Sequence, residues 1–288
     1  MEPEFPKGGI QMTRTEICAR IQQNEQKGIF DCHIDPIPEE LIIPVTEEYH
    51  YPNNRSALEK IKYFLEKFFI VKPFTVYQNR FVMKTRVFGR EHLEKLGAAV
   101  LTCNHVAKFD CLAVQWAARG HRTFVVAAPF NNMKGFLGEM MRAGDMLPMS
   151  ETIRGNHCFN QMVEEVLVRR NNFLLIYPEA SMWWHYAKPR PFKSGAFHIA
   201  AKYAVPVVPQ FITYRNSGKK DEEGLPVYYF DLHILQPITP DPKLSRKENA
   251  EKMAEKAYQA CKMVYESVYR RPLSYNTCGA LSTKGGNR

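Results

Sequence analysis

Short apolar runs alternate with amphipathic segments from residue 98 to residue 235, and this alternation limits the folds that the chain can adopt. The apolar runs have the length of buried strands, whereas the amphipathic segments repeat their apolar residues at helical spacing. Strands separated by helices need crossover connections, which makes neighbouring strands parallel. The sequence therefore predicts an α/β fold, with a mostly parallel central sheet flanked by helices and an amphipathic helix before it. The expected strands are 98–103, 123–128, 173–177, 207–214 and 227–235, and the expected helices are 110–119, 136–143, 156–170, 193–203 and 249–269.

The chain divides into four regions by charge and pattern. Residues 1–50 hold four basic and ten acidic residues, a net charge of −6, and are expected to form an acidic N-terminal extension with one short helix, Thr13 to Gln26. Residues 51–72 are expected to form an amphipathic helix, residues 73–273 the α/β domain, and residues 274–288 a flexible tail. Because the whole chain carries +9, the rest of it carries +15, which suits an anionic partner.

The stretch from Ala98 to Asp110 carries the strongest chemical signal. An apolar strand ends just before His105, and open α/β sheets bind ligands at the carboxyl ends of their strands. Asp110 opens the following helix. A carboxylate that accepts from one imidazole nitrogen fixes the tautomer and leaves the other nitrogen free to take a proton. Taken alone, this spacing favours a capping Asp110 and an ordinary loop histidine.

Three further stretches change that balance. Together with Asn104-His105-x4-Asp110, the segments 173–181, 191–197 and 205–209 resemble, in order, the motifs of the glycerolipid acyltransferases, the family of 1-acylglycerol-3-phosphate acyltransferases. The resemblance covers about residues 85 to 215. Members of that family transfer a fatty acyl group from a thioester, on coenzyme A or acyl carrier protein, to a hydroxyl of a glycerolipid.

The resemblance implies roles for individual residues. His105 would be the general base that deprotonates the acceptor hydroxyl, Asp110 would orient it, and Glu179 would serve acceptor binding and the architecture of the site. No cofactor is implied, because the acyl thioester is a co-substrate, and no metal is implied. The expected catalytic residues are His105 and Asp110, and the expected substrate-binding residues are Asn104, Arg154, Pro178, Glu179, Ser181, Lys193 and Gly195.

Two departures from the family pattern affect the acceptor. Ala180 replaces the glycine that follows the motif glutamate, which narrows the backbone options at that turn. The arginine that the family uses for the acceptor phosphate has no counterpart in register, and Arg154, the nearest candidate, is displaced along the chain. Lys193, beside a helix that opens near Gly195, offers an anion site instead and is ranked above Arg154.

Other chemistries have less support. Cys103 lies two residues from His105 and offers a nucleophilic thiol, but a cysteine on a strand entering the sheet is more often a buried apolar residue. Asp31, His33 and Asp35 would share one face of a strand, yet no fourth ligand accompanies them, so no metal site is expected. The sequence has no Gly-x-Gly-x-x-Gly, Walker or Gly-x-Ser-x-Gly motif, which excludes dinucleotide, nucleoside-triphosphate and α/β-hydrolase sites.

Residues 56–71 are expected to form a helix that meets the membrane. Ser56 can cap it, its aromatic and aliphatic residues form one stripe, and lysines flank the stripe, as in helices that lie in the headgroup region. Packing of the same stripe into the core is the open alternative. Residues 74–89 are expected to be extended. No apolar run approaches the roughly 20 residues that span a bilayer.

The expected partners are a lysophospholipid acceptor, acyl-CoA or acyl carrier protein, and a membrane surface. No nucleic acid is expected, because the basic residues are interleaved with acids rather than gathered in a recognition motif. The seven cysteines include no Cys-x-x-Cys pair and no secretory signal precedes them, so we expect a cytoplasmic protein, peripheral to the inner face of the cell membrane. A catalytically silent membrane scaffold and an acyl-thioester hydrolase are the alternative functions.

Overall fold

A seven-stranded sheet forms the centre of the computed structural model, which describes residues 12–35 and 37–276. Its strands are β1 (Arg86–Phe88), β2 (Ala99–Thr102), β3 (Thr123–Ala127), β4 (Met146–Pro148), β5 (Phe173–Ile176), β6 (Val207–Lys220) and β7 (Pro226–Ile234). They lie in the order β1-β7-β6-β2-β5-β3-β4, and within this sheet the β6–β7 pair is antiparallel while the other pairs are parallel. The predicted α/β fold with a mostly parallel sheet is confirmed.

Helices cover both faces of the sheet, because the buried side chains of successive strand residues point to opposite sides. The helices are α1 (Arg14–Lys27), α2 (Ala57–Glu66), α3 (Lys72–Tyr77), α4 (Glu91–Glu94), α5 (Asp110–Ala117), α6 (Gly135–Ala143), α7 (Ile153–Glu164), α8 (Gly195–Tyr203) and α9 (Arg246–Tyr269). Val100 of β2 belongs to the core shared with α7, α8 and α9. Leu101, the next residue, belongs to the core shared with α5.

Parallel pairing brings the carboxyl ends of β2 and β5 side by side. Every residue of β2 is buried, and Thr102 at its end pairs with Ile176 of β5 and with Pro209 of β6. The loops that follow β2 and β5 therefore leave the sheet at the same edge, called here the carboxyl edge. This is the edge at which open α/β sheets bind their ligands.

The helix that precedes the sheet is longer than predicted. α2 continues through a π-helical turn, Lys67–Val71, into α3 and then a second π-helical turn, Gln78–Val82. The extended conformation predicted for residues 74–89 is therefore wrong, except at β1. Pro73 does not end the helix, because it lies in the first turn of α3 directly after a π-helical turn, where a missing backbone N–H disrupts little.

The apolar stripe of this helix is exposed to solvent. Leu58, Phe64 and Phe69 are each more than half exposed, and no residue of α2 is buried. Packing of the stripe into the core, the alternative that the sequence left open, is therefore wrong for α2. None of the helices in residues 12–35 and 37–276 combines the length and the apolar content that a bilayer crossing needs.

The N-terminal extension packs against the α/β domain. α1 begins after Thr13, whose side chain forms a capping box with Glu16, one residue from its predicted start. The buried Ile17 of α1 clusters with Ile34 and with the fully buried Trp183, which lies in the loop after β5. The acidic extension thus reaches the carboxyl edge, a contact that the sequence did not indicate.

The predicted tail, residues 274–288, is described only at its beginning. The hydroxyl of Tyr275 donates a hydrogen bond to the carbonyl of Pro189 (2.6 Å) and lies 2.8 Å from the hydroxyl of Tyr258 on α9. These bonds attach the first residues of the predicted tail to the domain. The prediction for residues 277–288 lies outside the described residues.

Two smaller differences concern the strands. β4 is a three-residue strand that the sequence did not indicate, since so short a run has no recognisable period. β6 runs on to Lys220 rather than ending at Tyr214, because its hairpin with β7 extends the pairing beyond the sheet core. Neither difference alters the carboxyl edge.

Candidate active site

The structure brings His105 and Asp110 together at the carboxyl edge. His105 follows β2, Asp110 is the first residue of α5, and Nδ1 of the imidazole lies 2.9 Å from Oδ2 of the carboxylate. The same Oδ2 accepts the backbone N–H groups of Val106 (2.7 Å) and Ala107 (3.0 Å), so the loop itself holds the carboxylate in place. Because a carboxylate only accepts hydrogen bonds, Nδ1 is the donor and Nε2 is left as the basic nitrogen.

Tyr177, which the sequence analysis did not single out, supports this pair from the neighbouring strand end. Its hydroxyl donates to Oδ1 of Asp110 (2.6 Å), and its ring stacks on the imidazole of His105 with the centroids 4.0 Å apart. Burial raises the pKa of Tyr177 well above its ordinary value, so the hydroxyl keeps its proton and remains a donor. The available signal was a tyrosine at the position where the resembled motif has phenylalanine.

The basic nitrogen of the pair is accessible. Nε2 of His105 has no hydrogen-bond partner among the residues that the structure describes, and the His105 side chain is 26% exposed. Asp110, in contrast, is fully buried. A hydroxyl that reaches Nε2 can therefore give up its proton there, while Asp110 stabilises the imidazolium that results.

The structure argues against a thiol nucleophile at Cys103. Its side chain is buried, and Sγ donates to Oδ1 of Asn104 (3.5 Å). Burial raises the pKa of the Cys103 thiol well above its ordinary value, which suppresses the thiolate that would attack a carbonyl. Cys103 is a core residue beside the site.

Glu179 sits beneath the site in a buried ion pair with Arg190. Both side chains are almost fully buried, and Oε2 of Glu179 accepts from Nη2 (2.8 Å) and Nε (3.1 Å) of Arg190. The other carboxylate oxygen accepts the backbone N–H of Arg190 (2.9 Å), and the N–H of His105 lies 3.3 Å from Oε2. With its acceptor positions occupied, Glu179 holds the two loops together, and its expected part in acceptor binding stays a prediction.

Arg190 itself was missed by the sequence analysis. Besides the pair with Glu179, it donates to Oγ of Ser181 (2.8 Å) and to the carbonyl of Phe30 (2.9 Å). It therefore joins the loop after β5 to the N-terminal extension. The only sequence signal was a single arginine between prolines in an aromatic stretch, and nothing in its spacing to Glu179 indicates a contact.

Three other predicted binding residues serve the framework of the site. The side chain of Asn104 donates to the carbonyl of Ile212 (3.0 Å) and accepts its N–H (2.7 Å), which fastens the end of β2 to β6. Ser181 is buried under Arg190. The carbonyl of Pro178 accepts the N–H of Lys193 (2.7 Å), which places Lys193 just before α8.

Ala180 occupies the turn between Glu179 and Ser181 with a φ of 63°. This left-handed conformation costs a residue with a Cβ atom roughly 1–2 kcal/mol relative to glycine. The glycine of the resembled motif would adopt it without strain. Ala180 therefore occupies a backbone conformation that glycine would adopt at lower cost.

The predicted cations lie at different distances from this centre. Lys193 is 58% exposed and pairs with Asp31 of the extension (2.6 Å), and Gly195 opens α8 just behind it. Arg154, 85% exposed, lies on α7 beyond β4 and pairs with Glu47 (3.8 Å). Because β4 is three strands away from β2, about 14 Å at the usual strand spacing, the structure does not bring Arg154 to His105.

Three side chains that the sequence placed on one face of a strand contact separate partners: Asp31, His33 and Asp35. Asp31 pairs with Lys193, Asp35 pairs with Lys108 (3.2 Å), and the ring of His33 meets the ring of Phe130 edge-on with centroids 4.7 Å apart. Within residues 12–35 and 37–276, no three histidine, cysteine or acidic side chains converge on a position for a metal ion.

Comparison with known proteins gives a consistent result. The family model described as "Acyltransferase" matches residues 84–213, which contain β2, β5 and the loops of the carboxyl edge. A curated relative, the "Putative 1-acyl-sn-glycerol-3-phosphate acyltransferase acl-2" of Caenorhabditis elegans, is 26% identical over 147 residues, 47% of this chain and 48% of that protein. The chain thus spans about half the length of this relative.

A solved structure has the same fold. The crystal structure of the 1-acyl-sn-glycerophosphate (LPA) acyltransferase PlsC from Thermotoga maritima aligns with a TM-score of 0.52, covering 75% of this chain and 89% of that one. The two sequences are 16% identical, so the match concerns the arrangement of the strands and helices. The mostly parallel sheet and its carboxyl edge are shared features of that fold.

Proposed function

We propose that the protein is an O-acyltransferase acting at a membrane surface, because the family model described as "Acyltransferase" matches residues 84–213. It moves a fatty acyl group from a thioester, carried by coenzyme A or acyl carrier protein, to a hydroxyl of a lysophospholipid such as 1-acylglycerol-3-phosphate. The observation that carries the proposal is the bond between His105 and the buried Asp110 inside the matched domain, with Nε2 accessible.

The proposed chemistry needs no cofactor beyond the thioester. Nε2 of His105 takes the proton of the acceptor hydroxyl as its oxygen attacks the thioester carbonyl. The new carbon–oxygen bond replaces the carbon–sulfur bond, and the thiol leaves with the proton returned by the imidazolium. General-base assistance of this kind contributes about 10²–10⁴-fold to the rate.

The exposed helix supports a membrane-bound acceptor. Phe64, Phe68 and Phe69 form an exposed apolar face on residues 57–71, with the ring of Phe68 6.3 Å from that of Phe64 and 5.1 Å from that of Phe69, measured between centroids. A contiguous exposed apolar surface of this kind marks an interaction site, and lysines beside it suit anionic headgroups. We therefore propose that this face enters the headgroup region, with the protein peripheral to the inner face of the cell membrane.

The same helix lies against the catalytic loop. The ring of Phe74 on α3 meets the ring of Phe109, the residue before Asp110, with centroids 5.3 Å apart. Further along, Nδ2 of Asn79 donates to the carbonyl of Leu112 on α5 (3.0 Å). An acceptor lipid held at the apolar face would therefore have a short path to His105, because the helix that carries this face also contacts the catalytic loop.

A thiol-release assay separates the proposed function from its alternatives. The protein is incubated with acyl-CoA, with and without lysophosphatidate or another lysophospholipid, and free coenzyme A is measured. Release that depends on the acceptor supports the transferase, release without acceptor would mean a hydrolase, and no release with any donor or acceptor would mean a silent scaffold. Mass spectrometry of the lipids identifies the product.

A vesicle experiment tests the membrane surface. Replacing Phe64, Phe68 and Phe69 together by serine should lower sedimentation with anionic vesicles by more than about tenfold, since each phenylalanine contributes about 1.5–3 kcal/mol of burial. The melting temperature should hardly change, because these side chains are exposed. A double change on α9, Met263→Ser with Val268→Ser, is the matched control. Unchanged vesicle binding by the triple variant would contradict the assignment.

A further inference from the structure

A short segment of the N-terminal extension, residues 29–35, crosses the carboxyl edge and is called here the strap. Its backbone is fixed by three side chains. Arg190 donates to the carbonyl of Phe30 (2.9 Å), Trp183 to that of Cys32 (3.1 Å), and Arg20 to that of Ile34 (3.1 Å). The side chain of Ile34 is buried. The strap therefore has a fixed backbone at the carboxyl edge.

The charged side chains of the strap pair with one lysine from each of the two loops at the carboxyl edge. Asp31 pairs with Lys193, just before α8, at 2.6 Å, and this contact holds the pKa of Asp31 below its ordinary value. Asp35 pairs at 3.2 Å with Lys108, which belongs to the loop between His105 and Asp110. The two lysines lie on the two loops that form the carboxyl edge, so the strap connects both sides of it.

Trp183 and Arg190 locate the strap relative to the catalytic base. The backbone N–H of Trp183 donates to the carbonyl of His105 (3.0 Å), and its indole Nε1 donates to the carbonyl of Cys32 in the strap (3.1 Å). Arg190 makes a second link, because it donates to the carbonyl of Phe30 (2.9 Å) and its Nη2 lies 3.5 Å from the carbonyl of His105. Asp31 and Asp35 are therefore carried by a segment that is fastened to the loop of His105.

This arrangement changes the charge that an acceptor meets. The buried Arg190 is paired with Glu179. At the surface, Lys108 is paired with Asp35 of the strap and Lys193 with Asp31. A phosphate on the acceptor must compete with Asp31 and Asp35 for these cations and is repelled by them. A neutral headgroup meets neither effect.

We infer that Asp31 and Asp35 of the strap determine the headgroup charge of the acceptor, by disfavouring anionic lipids relative to neutral ones at the rim of the site. The inference rests on the proposed acyltransferase function and adds to it a structural basis for the choice of acceptor. Both pairs are partly exposed, so each aspartate should alter selectivity by about two- to fivefold, the range of surface ion pairs.

The test compares Asp31→Asn and Asp35→Asn with wild type on two acceptors, lysophosphatidate and monoacylglycerol of the same chain length. Each variant should raise the ratio of kcat/KM for lysophosphatidate over monoacylglycerol by about two- to fivefold, through KM, at low salt. The gain should fade at about 0.5 M salt, because exposed charges are then screened. Glu251→Gln, which removes a more exposed carboxylate from its pair with Lys247 on α9, away from the strap, is the control and should leave the ratio unchanged.

A double variant sharpens the test. If Asp31 acts by occupying Lys193, Asp31→Asn should have no effect on the ratio in a Lys193→Ala background. An unchanged ratio in both single variants, or equal losses on both acceptors, would overturn the inference while leaving the acyltransferase in place. Absence of transfer to every acceptor by wild type would overturn the proposed function itself.

Discussion

The interior and the rim of the carboxyl edge are built in opposite ways. In the interior, Asp110 and Glu179 are buried and each accepts several hydrogen bonds from neighbouring backbone and side chains. At the rim, Lys193 and Arg154 are exposed and each makes one surface ion pair. Buried, saturated groups hold one geometry, as proton transfer requires, whereas exposed pairs exchange partners at little cost. The comparison assigns chemistry to the interior and selection of the acceptor to the rim.

The largest expected effect comes from breaking the interior ion pair. Glu179→Ala leaves the buried Arg190 without its carboxylate and should lower the free energy of unfolding by about 3–5 kcal/mol. Urea denaturation of the purified variant measures the loss. Glu251→Ala, which removes a carboxylate from a surface pair, should cost less than about 1 kcal/mol. Similar losses of unfolding free energy in the two variants would contradict the proposed difference between buried and exposed ion pairs.

The next effect concerns the orientation of the base. Asp110→Asn should lower kcat by up to about 10²–10⁴-fold, the contribution of general-base assistance, with little change in KM, because the group that fixes the imidazole loses its charge. Tyr177→Phe, which removes only the hydrogen bond to Asp110, should cost about fivefold. Steady-state kinetics on folded protein, checked by thermal melting, give both values. A raised KM with normal kcat in Asp110→Asn would mean that Asp110 binds substrate instead.

Much of the interior could be predicted because its contacts follow from short spacings and strand ends. His105 and Asp110 are five residues apart on one strand–loop–helix unit, and parallel pairing of β2 with β5 places Glu179 at the same edge. Arg190 could not be predicted, since the aromatic loop that returns it to Glu179 has no periodic pattern. Tyr177 differs from the resembled motif by a single hydroxyl, and only the structure gives that hydroxyl a partner.

The rim and the long helix were harder to predict for different physical reasons. The pair between Asp31 and Lys193 joins positions 162 residues apart, and exposed charges carry no signal that selects one partner over another. The continuous helix runs past its predicted end at Val71 and through Pro73, and the local π-helical turns that allow this leave no mark in the sequence. Exposure of the apolar stripe depends on what the fold leaves uncovered, which periodicity alone does not determine.

A smaller effect is expected at the turn that joins interior and rim. Ala180→Gly should raise the free energy of unfolding by up to about 1 kcal/mol, because relief of the left-handed strain outweighs the added freedom of the unfolded chain. Ala128→Gly, at a position with a φ of −64°, should lower it by about 0.5–1 kcal/mol. A loss of stability in Ala180→Gly would show that the turn carries no strain.

The smallest effect is expected at the rim cations. Lys193→Ala should raise KM for lysophosphatidate by about two- to fivefold more than KM for monoacylglycerol, since an exposed and shared lysine contributes modestly. Arg154→Ala should leave both KM values unchanged, because Arg154 is remote from His105. Michaelis constants on the two acceptors provide the check. A larger effect at Arg154 than at Lys193 would mean that the acceptor phosphate binds beyond β4 and not beside Lys193, which would contradict this prediction.

The most direct test of the central claim, that His105 is the base for acyl transfer, is acceptor-dependent thiol release by purified His105→Ala. Circular dichroism and thermal melting should match wild type, because the side chain is partly exposed and, within residues 12–35 and 37–276, its hydrogen bond joins it to Asp110 alone. We expect release with acyl-CoA and lysophosphatidate to fall by about 10²-fold or more, because the variant has no base for the acceptor hydroxyl. Near-normal turnover by this folded variant would contradict that claim.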